Sequence, residues 1–414
     1  MNLEEFNNLY TNKDPNKNMI IADKIQLDLN AKKTRIFNNV LVIGGAGTGK
    51  TENFVKPNIL KANCSYIIHD PVGYLYQTTS DVLKKEGYDI QVLDLSDIEN
   101  SKHYNPFYYL EFEDDVKDMV DCIIKNYNIS KNINNPFFEK YESAFLLALC
   151  FYVIEKMPEN KQNFTSVIKL INECEIKKDD SEHKNNIDIL MDELEKENPK
   201  SNAVRYWKIF RIAPNVTAMS VLVSVGVKLS GFNTPTMKQL TSKNDFYLEN
   251  IGNKKTAIFV INSVNEDNSF ITSLFFSQVM KELENILSSS KPYKPFENHV
   301  QFVFDEFPNI GIITNLLQKI NGACWKDNVG YSFIIQSLSQ LQNMYKNEWE
   351  ELIDACPNVL IFNPNQVYST HQSMIDFFVK KYTFEITYNY DIDCIYFLRG
   401  KGVFCCNKYD GNKQ

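Results

Sequence analysis

Short, almost purely apolar runs recur along the first and last thirds of this chain. Because these runs do not alternate with polar positions, they predict strands that helices cover on both faces, as in a mostly parallel sheet. Helical patterns separate several of the runs, which favours an α/β architecture. The predicted strands span 40–45, 66–68, 90–95, 257–261, 300–304, 331–335 and 359–362.

The middle of the chain, from about 107 to 244, has a different pattern. Apolar residues recur there at spacings of three and four, and the strand pattern disappears. Helices are predicted around 116–124, 137–154, 164–171, 187–194, 202–210 and 216–229. We therefore expect an all-α domain at 107–245, inserted between the two parts of an α/β domain at 1–106 and 246–414.

The composition is that of a soluble globular protein, since 43% of the 414 residues are hydrophobic and 23% are charged. The net charge of −8 argues against a protein that coats nucleic acid through bulk charge, but it leaves room for a local basic channel. The nine cysteines contain no CxxC pair and the polar N-terminus is unlike a signal peptide, so a cytosolic protein with reduced thiols is expected. The longest apolar run, Phe145–Ile154, is half as long as the roughly 20 residues of a membrane-spanning helix.

A glycine-rich octamer, GGAGTGKT, follows the first predicted strand and precedes a predicted helix at 52–60. It fits the pattern G-x-x-x-x-G-K-[ST], in which glycines let backbone N–H groups surround a phosphate. The lysine reaches the β- and γ-phosphates and the last hydroxyl binds Mg²⁺, so the octamer predicts binding of ATP with Mg²⁺. The candidate nucleotide-binding residues are Gly44, Gly45, Ala46, Gly47, Thr48, Gly49, Lys50 and Thr51, and Thr51 is also a candidate metal ligand.

A second motif, VQFVFDEF at 300–307, is an apolar strand that ends in two carboxylates. In ATPases with a phosphate loop, an aspartate at this place holds Mg²⁺. The acid that follows it activates the attacking water as a general base. Asp305 is therefore the candidate metal ligand and Glu306 the candidate catalytic base.

Two further polar residues end predicted strands, and each has two interpretations. Gln336 follows the strand at 331–335 and either contacts the γ-phosphate or is an ordinary strand-end residue. Asp70 lies at the edge of the sheet where α/β proteins bind ligands, and it either helps to position water or metal or caps the turn before Pro71. We keep Gln336 as a catalytic candidate and Asp70 as a nucleotide-binding candidate.

Several motifs follow one another between about Met19 and Gly411. They read NNVLVIGGAGTGKT, SYIIHDP with HYNPF, NPFFEKYESAFLLAL, KKTAIFVI, FVFDEFPNIG with FIIQSLSQL, and IYFLRGKGVFCCNKYDG. Together they resemble the type IV coupling proteins of conjugation and type IV secretion, the TraG/TraD-like DNA-transfer ATPases. The resemblance covers nearly the whole chain.

The resemblance implies a RecA-like P-loop nucleotide-binding domain, interrupted by the all-α domain. It also implies an ATPase that recruits DNA, in single-stranded form, with relaxase or relaxosome proteins, and helps to translocate them to a type IV secretion channel. By position, Lys50 and Thr51 would bind phosphate and Mg²⁺, Asp305 and Glu306 would be the metal and base acids, and Gln336 would sense the phosphate. A homo-hexamer in the cytoplasm, held at the inner face of the membrane through partners, and substrate docking on the all-α domain follow from the same resemblance.

The sequence departs from the family pattern in four places. Residues 70–74 read DPVGY where the family has DPKGE. The stretch 324–327 (CWKD) replaces an RSR-like stretch of the family. Its one basic residue, Lys326, lacks the planar guanidinium group of arginine. The N-terminal membrane helices of the family are missing, which predicts a soluble form or a membrane partner, and the segment 362–396 is shortened.

These departures leave two functions open. The first is a motor enzyme, in which ATP hydrolysis drives transfer of DNA or nucleoprotein. The second is a nucleotide-gated substrate receptor with weak or no ATPase activity, because the arginine that acts on a neighbour's ATP is missing. Arg205 and Arg211 are the other candidates for that arginine, and both lie in the all-α domain. The inserted domain argues against a third reading, a DNA-partitioning or packaging translocase.

Overall fold

The computed structural model of this chain describes residues 1–131, 133, 135–176, 184–262, 269–290, 292–323, 328–363, 370–382 and 392–411. Its strands are β1 (Asn18–Ala22), β2 (Ile25–Asp28), β3 (Val40–Ile43), β4 (Ser65–Asp70), β5 (Asp89–Asp94), β6 (Thr256–Ile261), β7 (Val300–Phe304), β8 (Val329–Ile335), β9 (Asn358–Phe362), β10 (Cys394–Leu398) and β11 (Gly402–Cys406). Its helices are α1 (Leu3–Tyr10), α2 (Ala31–Thr34), α3 (Lys56–Leu60), α4 (Tyr74–Lys85), α5 (Glu113–Ser130), α6 (Pro136–Lys156), α7 (Phe164–Glu173), α8 (Asn186–Glu197), α9 (Asn202–Arg211), α10 (Asn215–Lys228), α11 (Pro235–Leu240), α12 (Ser269–Ser289), α13 (Leu316–Ala323), α14 (Leu338–Tyr345), α15 (Trp349–Asp354) and α16 (Thr370–Tyr382).

One large sheet of the described residues has the strand order β11-β10-β9-β3-β8-β7-β4-β6-β5. The strands from β9 to β5 are parallel to one another, whereas β10 runs antiparallel to both of its neighbours, β9 and β11. The strands β1 and β2 form a separate antiparallel hairpin. The parallel strands all end at one edge of the sheet, which is where proteins of this architecture bind ligands.

The strands predicted from the sequence are all present, with boundaries within two residues of those expected. Every residue of β3, β4, β6, β7, β8 and β9 is buried, as a continuous apolar run requires. The edge strand β5 instead alternates between buried and more exposed positions, because successive side chains point to opposite faces of the sheet and one face is less completely covered at this edge. The prediction of a mostly parallel sheet with helices on both faces is confirmed.

Successive strand residues contribute to two different cores, one on each face of the sheet. Leu41 and Ile43 lie in the first core, and Val40 and Val42 lie in the second. The first core also contains buried residues of α5 to α12, while the second contains residues of α3, α4 and the β1–β2 hairpin. The helical region therefore packs on one face of the sheet and shares its core.

The helices α5 to α11 occupy the sequence between β5 and β6, where the described residues form no strand. Domain boundaries at 106/107 and 245/246 remain our proposal for this division of the chain. Within the ranges given above, none of the helices combines the length and the apolar character that crossing a bilayer demands.

The β1–β2 hairpin is not predicted by the sequence. Its turn holds Lys24 at a φ of 58°, in the left-handed region that usually selects glycine, asparagine or aspartate. Because no Asn-Gly or Asp-Gly pair marks the turn, the usual hairpin signal is missing. Packing determines this hairpin instead, since Phe6, Ile21 and Leu27 are buried together in the second core.

Candidate nucleotide-binding and hydrolysis site

The predicted site residues follow the carboxyl ends of four strands. The phosphate loop follows β3, Gln336 follows β8, Asp305 and Glu306 follow β7, and Asp70 ends β4. These strands are adjacent in the order β3-β8-β7-β4. The fold thus brings the candidates of the sequence analysis to one edge of the sheet.

Glycines determine the shape of the phosphate loop. Gly47 and Gly49 have φ angles of 71° and 90°, which L side chains rarely adopt. A Cβ atom on Gly44 would lie 2.7 Å from Thr48 Oγ1 and 2.8 Å from Phe362 Cβ, so there is no room for a side chain. A loop without side chains at these points lets its backbone N–H groups approach an anion closely.

Lys50 is folded back onto the loop. Its Nζ donates to the carbonyl oxygens of Gly44 at 2.6 Å and Gly45 at 2.9 Å. Burial lowers the pKa of Lys50, while the carboxylates of Asp305 and Glu306 act in the opposite direction. A buried ammonium that bonds neutral carbonyls gains a stronger bond when a phosphate enters, because both partners of that bond are then charged.

The predicted helix at 52–60 is present, but it begins with a wider turn than expected. Thr51–Val55 form a π-helical turn that leads into α3. We attribute this turn to Pro57, which has no N–H for the carbonyl four residues earlier and whose ring would clash with it. Within the turn, Asn53 Nδ2 donates to the Tyr409 carbonyl at 2.9 Å, so the loop is also anchored to the chain after β11.

Thr51 and Asp305 form the candidate metal site. The Thr51 hydroxyl donates to Asp305 Oδ2 at 2.9 Å, and Asp305 Oδ1 is buried without a hydrogen-bond partner among the described residues. Burial raises the pKa of Asp305 to about 6, and the nearby Glu306 carboxylate adds to this effect. A buried carboxylate with one unsatisfied oxygen beside a hydroxyl fits Mg²⁺, which prefers oxygen ligands and keeps several waters.

Glu306 starts a tight turn after β7. Its backbone angles, φ 49° and ψ 55°, are left-handed, which costs a non-glycine residue on the order of 1 kcal/mol. The side-chain Oε2 accepts a hydrogen bond from Asn309 Nδ2 at 2.8 Å. The negative charge of Glu306 acts against the lowering of the Lys50 pKa by burial. The structure therefore places Glu306, on a strained backbone, directly after the candidate metal ligand Asp305.

His69, in β4, supports the same turn. Its Nδ1 lies 2.5 Å from the Asp305 carbonyl oxygen, which can only accept, so Nδ1 carries the proton. Its Nε2 then accepts from Asn262 Nδ2 at 3.4 Å. Burial lowers the pKa of His69 to about 4, so the imidazole is neutral at neutral pH. The sequence analysis did not identify His69, Asn262 or Asn309, because each is a single polar residue that no motif marks.

A second buried histidine, His299, gives a prediction about stability. Its Nδ1 bonds Asn328 Oδ1 at 3.0 Å and its Nε2 accepts from the Gln301 amide at 2.9 Å, so the neutral ring is fully satisfied. Burial lowers the pKa of His299 below its usual value of 6.5. As pH falls below 6.5, the unfolded chain binds a proton there that the folded chain does not, and stability is lost.

We expect His299 to remove about 1.4 kcal/mol of unfolding free energy per pH unit below pH 6.5, until its lowered native pKa is reached. Urea unfolding at several pH values, for the native chain and for His299→Gln, measures this slope. The variant should lose stability more gradually on acidification, because it lacks the contribution of His299. The contributions of His69 and Asp305 are the same in both chains. Parallel pH profiles would contradict the prediction.

Gln336 lies beside the phosphate loop and is exposed. The residue before it, Ile335, accepts a backbone hydrogen bond from Gly44 at 3.2 Å, so the end of β8 contacts the start of the loop. The Gln336 backbone N–H donates to Gln340 Oε1 at 2.8 Å, in the turn that begins α14. A contact between its side chain and a γ-phosphate stays a prediction.

Asp70 caps the first turn of α4. Its Oδ2 accepts from the Tyr76 N–H at 2.8 Å, and burial raises its pKa. The structure thus shows the turn-capping contact, while a role toward nucleotide, water or metal stays a prediction. In the altered motif that follows, Val72 is 74% exposed and the Tyr74 hydroxyl accepts from Lys56 Nζ at 2.7 Å.

The stretch 324–327, which replaces the family arginines, lies outside the described residues. The segment 362–396 is described only in part. The two other candidate arginines, Arg205 and Arg211, are each paired with a carboxylate of the helical region, at 2.5 Å and 3.2 Å. Both are therefore engaged within their own chain.

Comparisons with known sequences point to one group of proteins. A family model described as "Type IV secretory system Conjugative DNA transfer" matches residues 1–387. Protein VirD4 of Agrobacterium fabrum is 31% identical over 146 residues, which are 34% of this chain and 21% of that protein. Protein VirD4 of Rhizobium rhizogenes is 33% identical over 129 residues, which are 30% of this chain and 18% of that protein. The matches thus span about a fifth of these curated relatives.

Comparisons with solved structures concern the fold. The plasmid coupling protein TrwB in complex with ADP and Mg²⁺ has a TM-score of 0.64 at 14% identity, over 99% of this chain and 94% of that chain. TrwB with the ATP analogue ADPNP has a TM-score of 0.60 at 16% identity, over 90% and 80%. VirB4 of Thermoanaerobacter pseudethanolicus has a TM-score of 0.55 at 10% identity, over 95% and 96%. At these identities the likeness establishes the fold, and the predicted RecA-like α/β architecture with a helical region is confirmed.

Proposed function

This chain belongs to the type IV secretory system conjugative DNA-transfer family, and we propose that it is an ATP-driven coupling protein for such transfer. One observation carries the proposal. The Thr51–Asp305 hydrogen bond, the buried Lys50 and the strained Glu306 come together at the carboxyl edge of the sheet. These groups supply a metal site, a phosphate ligand and a base, which are the parts that phosphoryl transfer to water requires.

ATP is the proposed nucleotide and Mg²⁺ the proposed metal. TrwB, which has the same fold, forms complexes with ADP and Mg²⁺ and with an ATP analogue. In this chain the loop at 44–51, with Lys50, would hold the phosphates, while Thr51 Oγ1 and Asp305 would hold the metal directly or through water. A metal there neutralises the charge that develops on the phosphoryl oxygens.

Glu306 is the proposed general base for hydrolysis. It directly follows the proposed metal ligand, and its negative charge acts against the lowering of the Lys50 pKa by burial. A carboxylate at this point takes a proton from the water that attacks the γ-phosphate. Gln336, on the strand between the loop and Glu306, is proposed to contact the γ-phosphate, and Asp70 to help position water or metal beside Asp305.

The proposed cargo is DNA in single-stranded form, together with relaxase or relaxosome proteins. The family description, which names conjugative DNA transfer, supports DNA as the cargo. Delivery to type IV secretion channel components would occur at the cytoplasmic face of the membrane, by a homo-hexamer that partners hold there. Since the chain has a net charge of −8, its contact with DNA must come from a local basic surface.

The second candidate is a nucleotide-gated receptor that binds ATP with little turnover. The altered motif at 70–74 favours it, because Val72 points to solvent where the family has a lysine. The residues at 324–327 favour it as well, since they lack the arginines of the family. In this alternative, ATP would change the affinity for substrate without being consumed in each cycle.

ATP hydrolysis with and without single-stranded DNA separates the two candidates. For a motor we expect DNA to increase turnover, with the increase lost steeply between about 50 and 200 mM salt, because contacts to DNA phosphates release counterions. The rate per subunit should also rise with protein concentration as rings assemble. Tight ATP binding without DNA stimulation at any salt would favour the receptor.

A further inference from the structure

Asn309 holds the carboxylate of Glu306 in place. Glu306 and Asn309 are three residues apart in the turn after β7, and the Asn309 backbone N–H donates to the Glu306 carbonyl at 2.9 Å. The Asn309 side-chain amide donates to Glu306 Oε2 at 2.8 Å. Glu306 itself is half-buried. Oε2 thus accepts a hydrogen bond from Asn309, whereas Oε1 has no hydrogen-bond partner among the described residues and is open to a water.

Residues of β4 and of the chain after β6 form hydrogen bonds with the two ends of the same turn. Asn262, just after β6, donates from Nδ2 to the Asn309 carbonyl at 3.2 Å. Its Oδ1 accepts from Thr272 Oγ1 at 2.8 Å, which fixes the orientation of the amide. At the other end, His69 bonds the Asp305 carbonyl at 2.5 Å. The backbone that carries Glu306 and Asn309 is therefore fixed by hydrogen bonds from His69 in β4 and from Asn262 after β6.

We propose that Asn309 is a positioning residue for hydrolysis, which acts through Glu306, and that Asn262 supports it. This inference rests on the proposed ATPase function. A general base works well only when a second group orients it toward the proton that it removes. A glutamate is flexible, so the charge-assisted bond from Asn309 restricts its carboxylate to one arrangement and keeps Oε1 available. The amide gains or loses no proton in the reaction.

The chain contains a matched control for this pair. Asn100 Nδ2 donates to Asp97 Oδ2 at 2.8 Å, and its N–H donates to the Asp97 carbonyl at 3.2 Å. The spacing of three residues, the tight turn and the exposure of the asparagine are the same. Asp97 belongs to the turn after the edge strand β5, away from the phosphate loop. A purely structural bond of this type is therefore available for comparison.

The test uses Asn309→Ala, Asn309→Asp and Asn100→Ala, each in the native chain and in Glu306→Gln. Single-turnover and steady-state ATP hydrolysis give kcat and KM, a fluorescent ATP analogue gives the nucleotide Kd, and thermal unfolding gives Tm. Asn309→Ala should lower kcat on the order of tenfold with KM and Kd unchanged, because the base is misplaced but the nucleotide ligands are intact. Asn309→Asp should lower kcat further, since it keeps the shape, lacks the N–H and adds a like charge. Asn100→Ala should leave every value unchanged.

The double variants decide whether Asn309 acts through Glu306. If it does, Asn309→Ala costs nothing further in the Glu306→Gln background. An equal loss in both backgrounds, or a kcat for Asn309→Ala equal to that of the native chain, overturns the inference and leaves the proposed function standing. Absence of turnover in the native chain, with nucleotide still bound, overturns the proposed ATPase itself and the inference with it.

Discussion

Replacing Lys50 by alanine is expected to weaken binding of Mg²⁺-ATP on the order of a hundredfold or more. The ammonium is buried against the loop, within hydrogen-bond distance of the Gly44 and Gly45 carbonyls. Removing one partner of a buried, charge-assisted pair costs about 2–5 kcal/mol, which corresponds to a loss of this size. Hydrolysis should disappear with binding, because Lys50 is the group that would neutralise the β- and γ-phosphates.

The measurement is titration of a fluorescent ATP analogue, with Tm recorded to confirm that the variant is folded. Lys56→Ala is the matched control, because Lys56 lies on the helix after the loop and bonds the Tyr74 hydroxyl instead of loop carbonyls. We expect the control to bind nucleotide like the native chain. Equal nucleotide affinity in Lys50→Ala and the native chain would show that the loop is not the phosphate site.

The sheet could be predicted from the sequence because its strands are buried on both faces. Such strands need continuous apolar runs, and those runs locate β3 to β9 directly. The hairpin β1–β2 could not be predicted, because its turn holds Lys24 in a left-handed conformation and contains no Asn-Gly or Asp-Gly pair. The motif order also identified the family, which the match over residues 1–387 confirms.

The site residues that belong to sequence motifs could be predicted. The octamer and the pair Asp305–Glu306 meet at one edge because all parallel strands end there. No sequence motif assigns a role to the residues that support this site by hydrogen bonds. His69, Asn262 and Asn309 come from β4, from the chain after β6 and from the turn after β7, and only the folded sheet shows that they bond one another and the turn. The role of a single polar residue of this kind depends on its tertiary contacts, and the periodicity of the sequence does not predict those contacts.

Glu306→Gln is expected to retain ATP and to lose hydrolysis. Glutamine keeps the size of the side chain and can still bond Asn309, but it cannot take a proton from water. General base catalysis contributes about 10²–10⁴-fold, so kcat should fall on the order of a thousandfold. Nucleotide affinity should be unchanged or higher, because the substitution removes a negative charge near Lys50 and the proposed γ-phosphate position.

The measurement that tests the central claim most directly is ATP binding and ATP turnover by the native chain and Glu306→Gln, side by side, at saturating Mg²⁺ and single-stranded DNA. Glu297→Gln is the control, since Glu297 precedes the same strand at the opposite edge of the sheet. We predict that all three chains bind ATP, that the native chain and the control hydrolyse it, and that Glu306→Gln hydrolyses it on the order of a thousandfold more slowly. Turnover in Glu306→Gln at the native rate would contradict this account of the site.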